Sequence, residues 1–215
     1  MADRRLIDEK NTQDALALLK VTVEALERHG VRYYLDFGTL IGAVREKGFI
    51  PWDDDVDISI ANEEDYQNIP GILKEIRAQY KYRTYVFSFK SSRMKFTRRG
   101  EAVRTDDLFF TDKNSLQMAK LRNNKFWRFG RGNTCLDIFF KYQYNGHKYW
   151  LAYGKVNSVP TEFLNDQDLV KIKFYDLECY IPMNYDEYLT YKYGNWRVPN
   201  NNWTHDKDDF SINTP

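Results

Sequence analysis

Four aspartates lie within five positions of this chain of 215 residues, and no other group of side chains is so dense in potential ligands. They are Asp53, Asp54, Asp55 and Asp57. Carboxylates this close repel one another, so the group needs a cation to offset its charge. The run also follows Pro-Trp and leads into an apolar-alternating segment, where carboxylates are costly unless they bind something. The pattern therefore favours a metal site over a solvated acidic turn.

The spacing of these acids also resembles the start of a calcium-binding loop. The alternating aspartates from Asp53 to Asp57 match the first three ligand positions, and Glu64 falls at the twelfth. The sixth position is Ile58, however, where the sharp turn of such a loop needs glycine. Calcium sensing is therefore disfavoured. The acids instead indicate Mg²⁺ or Mn²⁺, which bind carboxylate oxygens and take phosphate oxygens as further ligands.

A third carboxylate from a neighbouring strand would complete such a site. Asp137 is the best candidate, because it is the lone acid in the apolar run 135–140. Its presence there is hard to explain as structure, unless an arginine of the preceding basic stretch pairs with it. The sequence thus predicts four metal ligands, Asp53, Asp55, Asp57 and Asp137, of which the last three are also predicted to be catalytic.

A glycine–threonine pair upstream of the acids offers contacts to phosphate. Gly38 and Thr39 follow the strand-like segment 31–37 and open a short helix that ends at Gly48. A strand that turns into a helix in this way presents backbone N–H groups to a phosphate. Arg45 lies on the same helix, where it either reaches a diphosphate or is an ordinary surface arginine.

Aromatic and basic residues supply further candidates for substrate contacts. Trp52, next to the acids, is suited to stacking on a sugar or base, or else to packing in the core. The stretch 98–134 is polar and basic, and within it Arg128 is a candidate for binding phosphate, although such groups are more often solvated loops. We expect this stretch to be mostly loop, with a short helix near 116–121.

Two elements must position the acids and the glycine–threonine turn. An apolar stripe predicts a helix over residues 12–29, capped by Asn11 or Thr12 and ended by Gly30. From Asp55 to Ile60, polar and apolar residues alternate, which predicts a strand whose carboxylates share one face.

Caps and breakers organise the next segments. A variant capping box at Asn62 opens a second helix, which Pro70 interrupts or restarts. Residues 82–89 and 93–97 are typical of an antiparallel pair. The organisation of the chain thus comes from alternating helical and strand-like segments.

Turn residues organise the second half of the chain. Asn145-Gly146 is a two-residue hairpin turn between strands over 135–144 and 147–153. A capping box from Asn184 to Glu187 opens a last helix, which Gly194 closes. No repeat or linker interrupts the sequence, so a single domain over residues 1–215 is expected.

Composition narrows the classes of partner and location. Lysine plus arginine total 32 and aspartate plus glutamate total 31, a net charge of +1, so no nucleic-acid partner is expected. Two cysteines and the lack of an apolar leader or spanning segment favour a cytoplasmic protein. A balanced charge is also compatible with a small basic patch that contacts the inner face of a membrane.

Two stretches around these residues resemble the signature of the LicD family. They are Tyr34 to Arg45, which contains Gly38-Thr39, and Gly48 to Ile58, which contains Asp55-Val56-Asp57. This family belongs to a nucleotidyltransferase-fold superfamily whose marks are a Gly-Ser/Thr turn, an Asp-x-Asp strand and a later single aspartate, which Asp137 matches. The resemblance implies an α+β fold, with a nucleotidyltransferase-like mixed sheet flanked by helices.

The resemblance also implies a reaction. A phospho-alcohol unit, such as phosphocholine or a polyol phosphate, would move from a CDP-activated donor to a sugar hydroxyl of a glycan, and CMP would leave. The implied partners are therefore a CDP-alcohol and a carbohydrate acceptor, free or lipid-linked. Transfer of a nucleotidyl group from an NTP needs the same acids and metals, so the motif leaves that alternative open. A binding module without activity is disfavoured, because every acid of the motif is present.

Overall fold

Helices and strands alternate in the first part of the chain, and strands dominate the second. The computed structural model describes residues 5–90, 108–124, 131–165 and 167–212. The elements in chain order are α1 (Glu9–Arg28), β1 (Tyr33–Leu35), α2 (Phe37–Ile41), a π-helical turn (Gly42–Glu46), β2 (Val56–Ile60), a 3₁₀ helix (Glu63–Asn68), α3 (Ile69–Tyr80), β3 (Arg83–Ser88), β4 (Leu116–Asn124), β5 (Arg131–Phe139), β6 (Tyr142–Tyr144), β7 (His147–Ala152), β8 (Lys155–Pro160), β9 (Leu169–Phe174), β10 (Leu177–Pro182), α4 (Tyr185–Tyr193) and α5 (His205–Asp208).

A five-stranded mixed sheet forms the centre of the molecule, in the order β1-β2-β5-β4-β3. Strands β2 and β5 run parallel, and the other neighbours in the sheet are antiparallel. Helices α1 and α3 contact each other and the sheet, α1 over β4 and β5 and α3 over β3. This arrangement confirms the predicted α+β class, a mixed sheet flanked by helices.

The alternation along the central strands separates an apolar face from a polar one. Val56 and Ile58 of β2, and Leu136 and Ile138 of β5, are completely buried. Because side chains of a strand alternate between the two faces, the residues between them point to the opposite side of the sheet. The predicted strand from Asp55 onward is therefore confirmed, and its apolar residues anchor it in the core.

A three-stranded sheet, β6-β7-β8, and the hairpin of β9 and β10 complete the strands described. Asn145 and Gly146 both have positive φ, 45° and 74°, and join β6 to β7 with Tyr144 opposite His147. This confirms the predicted hairpin, since a two-residue turn of this kind matches the twist of its strands. The strands between residues 155 and 182 were not predicted.

The prediction for residues 116–121 was wrong, because this segment belongs to β4 and not to a helix. Ala119 and Leu121 point into the core and are completely buried, while Lys120 between them is only partly buried. Leu, Gln, Met, Ala and Lys are good helix formers, which explains the misassignment. Pairing with β3 on one side and β5 on the other overrides that local preference. The predicted strand 93–97 lies outside the described residues.

Helix ends differ from the predicted caps at several points. Asp8 caps α1 by accepting a hydrogen bond from the backbone N–H of Asn11 at 3.1 Å, so neither Asn11 nor Thr12 is the cap. Asn62 and Asn184 make no side-chain capping bond, so the two predicted capping boxes are absent. Gly30 and Gly194 do follow α1 and α4 as predicted, with φ of 69° and 64°.

The predicted restart at Pro70 is confirmed, because a 3₁₀ helix leads into α3 there. Helix α5 follows α4, so the helix after Asn184 is not the last. No helix in the described ranges combines the length and apolar character needed to cross a bilayer. The cytoplasmic location, the contact with a membrane surface and the extent of one domain over 1–215 stay predictions.

Candidate functional site

Three carboxylates meet where β2 begins beside β5. Asp57 of β2 and Asp137 of β5 are register partners in the parallel pair, and Asp55 directly precedes β2. One carboxylate oxygen of each lies within 4.8 Å of the other two. The structure therefore brings Asp55, Asp57 and Asp137 together, as the sequence predicted.

The electrostatics of this cluster suit a bound cation. Burial raises the pKa of Asp55 well above its usual range, and the charges of Asp53 and Asp137 raise it further. Burial also raises the pKa of Asp57, and Asp55 and Asp137 add to the effect. A divalent ion favours the charged form of each carboxylate and so removes the cost of bringing them together. The cluster could therefore bind a metal, and its all-oxygen donor set matches hard cations.

Asp53 belongs to an adjoining group of acids. One oxygen each of Asp53, Asp54 and Asp55 lies within 4.8 Å of the others, so Asp55 is common to both groups. Burial raises the pKa of Asp53 to about 6, although the N–H of Asp54, which donates to Asp53 Oδ1 at 3.1 Å, lowers it. Asp53 is thus placed to share a cation with Asp55, and its predicted role as a ligand stays a prediction.

The glycine–threonine turn lies against the acids and supports them. A Cβ at position 38 would overlap with Oδ2 of Asp53, so only glycine allows this close approach. Thr39 is buried, and its hydroxyl accepts a hydrogen bond from the backbone N–H of Asp57 at 2.9 Å. Gly38 and Thr39 therefore position two of the acids. Their predicted contact with a phosphate stays a prediction.

A second buried carboxylate, which sequence analysis left without a role, supports this turn from within the core. Asp36 Oδ1 accepts hydrogen bonds from the N–H of Phe37 at 2.8 Å and the hydroxyl of Tyr188 at 2.7 Å. Its Oδ2 accepts from the Ser59 hydroxyl and the Lys141 ammonium, both at 2.5 Å. The Asp36 and Lys141 side chains are 0% and 1% exposed. This network joins α2, β2 and α4.

Lys120 of β4 contacts the third carboxylate of the cluster. It is the register partner of Asp137, and its Nζ lies 2.5 Å from Asp137 Oδ2. The thiol of Cys135 donates to Asp137 Oδ1 at 3.0 Å. Burial lowers the pKa of Lys120, but the charge and hydrogen bond of Asp137, together with the charges of Cys135 and Asp55, outweigh burial and raise the pKa. The expected arginine partner of Asp137 is therefore a lysine.

Arg45 is not the ordinary surface arginine of the two predicted alternatives, and its contact with a diphosphate stays a prediction. Its side chain is only 13% exposed, so it is not a surface arginine. Its Nη1 donates to the carbonyl of Trp196 at 2.6 Å, and its Nε donates to Glu46 at 2.7 Å. A Cβ at Gly42, three residues earlier, would lie 2.5 Å from the carbonyl oxygen of Gly48, so glycine is needed there. The π-helical turn that begins at Gly42 is ended by Lys47, at φ 59°, and not by Gly48 as predicted.

The remaining predicted substrate residues have separate outcomes. Trp52 is partly buried and packs against the core, which is the structural alternative of the two predicted for it. Its contact with a sugar or base stays a prediction. Arg128 lies in residues 125–130, outside the described part of the chain, and its role also stays a prediction.

Tyr153 is a residue near the acids that sequence analysis did not single out. It occupies the turn between β7 and β8 with a φ of 52°, a conformation that bulky residues seldom adopt. Tyr153 is 70% exposed, and the neighbouring carboxylates, Asp55 and Asp57 foremost, raise the pKa of its phenol. Its ring lies 4.8 Å from that of His205. The phenol is therefore within electrostatic reach of the carboxylates.

The fold and the acids together define a class of protein. A mixed sheet carries an Asp-x-Asp pair at the start of β2 and a third aspartate on the adjacent parallel strand, with the Gly38-Thr39 turn beside them. The model of the LicD/FKTN/FKRP nucleotidyltransferase domain matches residues 30–184, which is more than half of the chain. The chain belongs to this family.

Comparison with curated proteins finds similar sequences over different lengths. An uncharacterised protein of Rickettsia typhi is 26% identical over 196 residues, which cover 90% of this chain and 50% of that protein. Human ribitol 5-phosphate transferase FKRP is 28% identical over 181 residues, or 81% of this chain and 30% of that protein. The lipopolysaccharide cholinephosphotransferase LicD of Haemophilus influenzae is 43% identical over 58 residues, which cover 27% of this chain and 22% of that protein. The chain thus spans about half or less of the length of these relatives.

Proposed function

We propose that this chain is a metal-dependent transferase that moves a phospho-alcohol unit from a CDP-activated donor to a sugar hydroxyl of a glycan. The unit is phosphocholine or a polyol phosphate, and CMP is the other product. The observation that carries the proposal is the meeting of Asp55, Asp57 and Asp137 on adjacent parallel strands of a chain of this family. The names of its relatives, a cholinephosphotransferase and a ribitol 5-phosphate transferase, support a phospho-alcohol as the group transferred.

Asp55 and Asp57 are proposed to hold Mg²⁺ or Mn²⁺, with Asp137 and Asp53 as further ligands. Such an ion neutralises the negative charge that builds up on the diphosphate oxygens during transfer. The hydrogen bond from the N–H of Asp57 to Thr39 keeps β2 in register with the turn at α2. The side chains of the Asp-x-Asp pair thereby keep their positions without substrate, which lowers the cost of binding a charged diphosphate.

The bond changes follow from the donor. The oxygen of the sugar hydroxyl forms a bond to the phosphorus that carries the alcohol, and the bond from that phosphorus to the oxygen of CMP breaks. CMP takes the bonding electrons as its phosphate leaves. Asp137 is proposed to accept the proton of the hydroxyl. The Gly38-Thr39 turn and Arg45 are proposed to bind donor phosphate, and Trp52 and Arg128 are proposed to contact the donor or the acceptor.

Product analysis separates this proposal from its closest alternative. The protein is incubated with Mg²⁺ and either CDP-choline or CDP-ribitol, together with a panel of sugar acceptors, and CMP is measured by chromatography. A parallel series uses NTPs and measures pyrophosphate. We expect CMP with at least one donor, and none with Asp57→Asn. Release of pyrophosphate from NTPs without CMP from either donor would overturn the proposal in favour of nucleotidyl transfer.

A further inference from the structure

Three neighbouring strands place two carboxylates and one ammonium in a single row across the sheet. Asp57 of β2 is the register partner of Asp137 of β5, and Asp137 is the register partner of Lys120 of β4. Register partners on adjacent strands project from the same face of a sheet. The ammonium of Lys120 therefore lies on the same face of the sheet as the two acids, one strand beyond Asp137.

The contacts of Asp137 show how closely this cation is tied to the cluster. Lys120 Nζ lies 2.5 Å from Asp137 Oδ2, and the thiol of Cys135 occupies the other oxygen at 3.0 Å. The Asp137 side chain is 6% exposed, while that of Lys120 is 30% exposed. Burial makes this pairing stronger than one on the surface. Asp137 is thus held from two sides, and the charged partner is the one that reaches solvent.

The formal charges of the row suggest a role for the lysine. Asp55, Asp57 and Asp137 bring three negative charges to one point, and Lys120 brings one positive charge. The lysine thus offsets one of these three charges, while Asp53 adds a further negative charge beside Asp55. Because the ammonium repels any cation that approaches Asp137, a divalent ion binds the cluster less tightly than it would bind the carboxylates alone.

We propose that Lys120 is the fixed cation of this carboxylate cluster: it positions Asp137 and weakens the binding of a divalent ion to the acids. This inference rests on the metal site of the proposed function. It goes beyond that function, because it assigns part of the charge compensation to a side chain of the chain itself. Lys120 acts here through Asp137, as a positioning residue.

Titration with Mn²⁺ tests this role without any turnover. Free Mn²⁺ is measured by electron paramagnetic resonance at pH 7.5 for wild type, Lys120→Met and Lys120→Arg. We expect wild type and Lys120→Arg to bind Mn²⁺ with similar affinity. Lys120→Met should bind Mn²⁺ at least about tenfold more tightly, because the site has lost a repelling charge.

Two further variants keep the test decisive. Lys120→Gln retains a hydrogen-bond donor for Asp137 but carries no charge. It should therefore tighten Mn²⁺ binding, as Lys120→Met does. It replaces Lys120→Met if the methionine variant does not fold. Lys171→Met makes the same change on β9, where Lys171 is 43% exposed, and should leave Mn²⁺ binding within about twofold of wild type because a surface charge is screened.

The outcomes distinguish this inference from the proposed function. A wild-type protein that binds no Mn²⁺ contradicts the metal site itself. If wild type binds Mn²⁺ and the methionine and glutamine variants bind it equally or more weakly, the site stands and Lys120 is only a structural partner of Asp137. The kinetics give a second readout: Lys120→Met should lower kcat while donor KM stays within about threefold, and Lys120→Arg should restore much of kcat.

Discussion

Asp36 and Asp57 lie side by side in the fold, since the backbone N–H of Asp36 donates to the carbonyl of Asp57 at 3.0 Å. The two carboxylates differ in whether neighbouring groups offset the free-energy cost of burying their charge. Asp36 accepts four hydrogen bonds, one of them from the ammonium of Lys141. None of the described residues donates a hydrogen bond to the carboxylate of Asp57, and its nearest charged neighbours, Asp55 and Asp137, raise its pKa.

The difference separates structure from function within one small region. A buried carboxylate with a complete set of internal partners stabilises the fold and needs nothing from outside. A carboxylate left among like charges is costly on its own and gains from any cation that enters. The internal partners of Asp36 therefore support the fold, whereas the carboxylates around Asp57 could bind a cation.

The largest expected effect tests whether the carboxylate of Asp57 takes part in transfer. Asp57→Asn should lower transfer activity by about 1,000-fold, because it removes a carboxylate that stabilises charge during transfer. Its free energy of unfolding without metal should not fall, since the mutation relieves repulsion. Initial rates and urea unfolding measure both effects. Asp176→Asn, the same change in the exposed turn between β9 and β10, serves as the control, and equal loss of activity in it would contradict the assignment.

The next-largest expected effect tests whether the hydrogen bonds of the buried Asp36 stabilise the fold. Lys141→Met should lower the free energy of unfolding by about 3–5 kcal/mol, because it leaves the buried Asp36 without its cation. Ser59→Ala removes one hydrogen bond from the same carboxylate and should cost only about 1–3 kcal/mol. Urea unfolding followed by circular dichroism measures the loss. A variant of Lys141 as stable as wild type would show that Asp36 is not the support described here.

The third prediction concerns pH and metal. The folded pKa of Asp53 is raised to about 6, whereas an unfolded aspartate titrates near 4. Between these values the folded state binds more protons, so this group lowers the free energy of unfolding as pH rises from about 4 to about 6. In EDTA, the Tm of wild type should therefore fall further than the Tm of Asp53→Asn as pH rises over this range.

Added Mn²⁺ should reverse that loss, because the ion favours the charged carboxylates. Thermal melts at pH 5.0 and 7.5, with EDTA or Mn²⁺, measure the change. The rise in Tm with Mn²⁺ should be larger at pH 7.5, where protons no longer compete for the acids. An equal rise at both values, or a rise that persists in Asp57→Asn, would show that the ion binds elsewhere.

The smallest expected effect tests the contact between the Gly38-Thr39 turn and Asp53. Gly38→Ala places a methyl group against Asp53 and should lower transfer by about tenfold, with a modest loss of stability, because the carboxylate must move. Gly71→Ala is the matched control, since no atom lies within 4 Å of a Cβ there and alanine favours the helix α3. Its stability should stay level or rise by up to about 1 kcal/mol. A Gly38→Ala protein with unchanged activity would remove Asp53 from the site.

The acids were predictable because their signals are local. Alternation from Asp55 to Ile60 is written in consecutive residues, and Asp137 is conspicuous as a charge within an apolar run. The register that brings Asp57 beside Asp137 was not predictable, because it depends on parallel pairing between strands about eighty residues apart. Lys120 was not singled out, because its position fell in the short helix predicted near 116–121, where helix-forming residues hid the strand β4.

The sequence alone determined most of the elements before residue 90, the cluster of aspartates and the resemblance to a family, because each depends on residue types at short and regular spacings. Only the tertiary structure decided which charges are compensated. The partners of Asp36 lie 23, 105 and 152 positions away in the chain, and no periodicity connects them. Whether a buried carboxylate supports the fold or awaits a cation depends on such distant partners, because the free energy of a buried charge is set by what surrounds it in space.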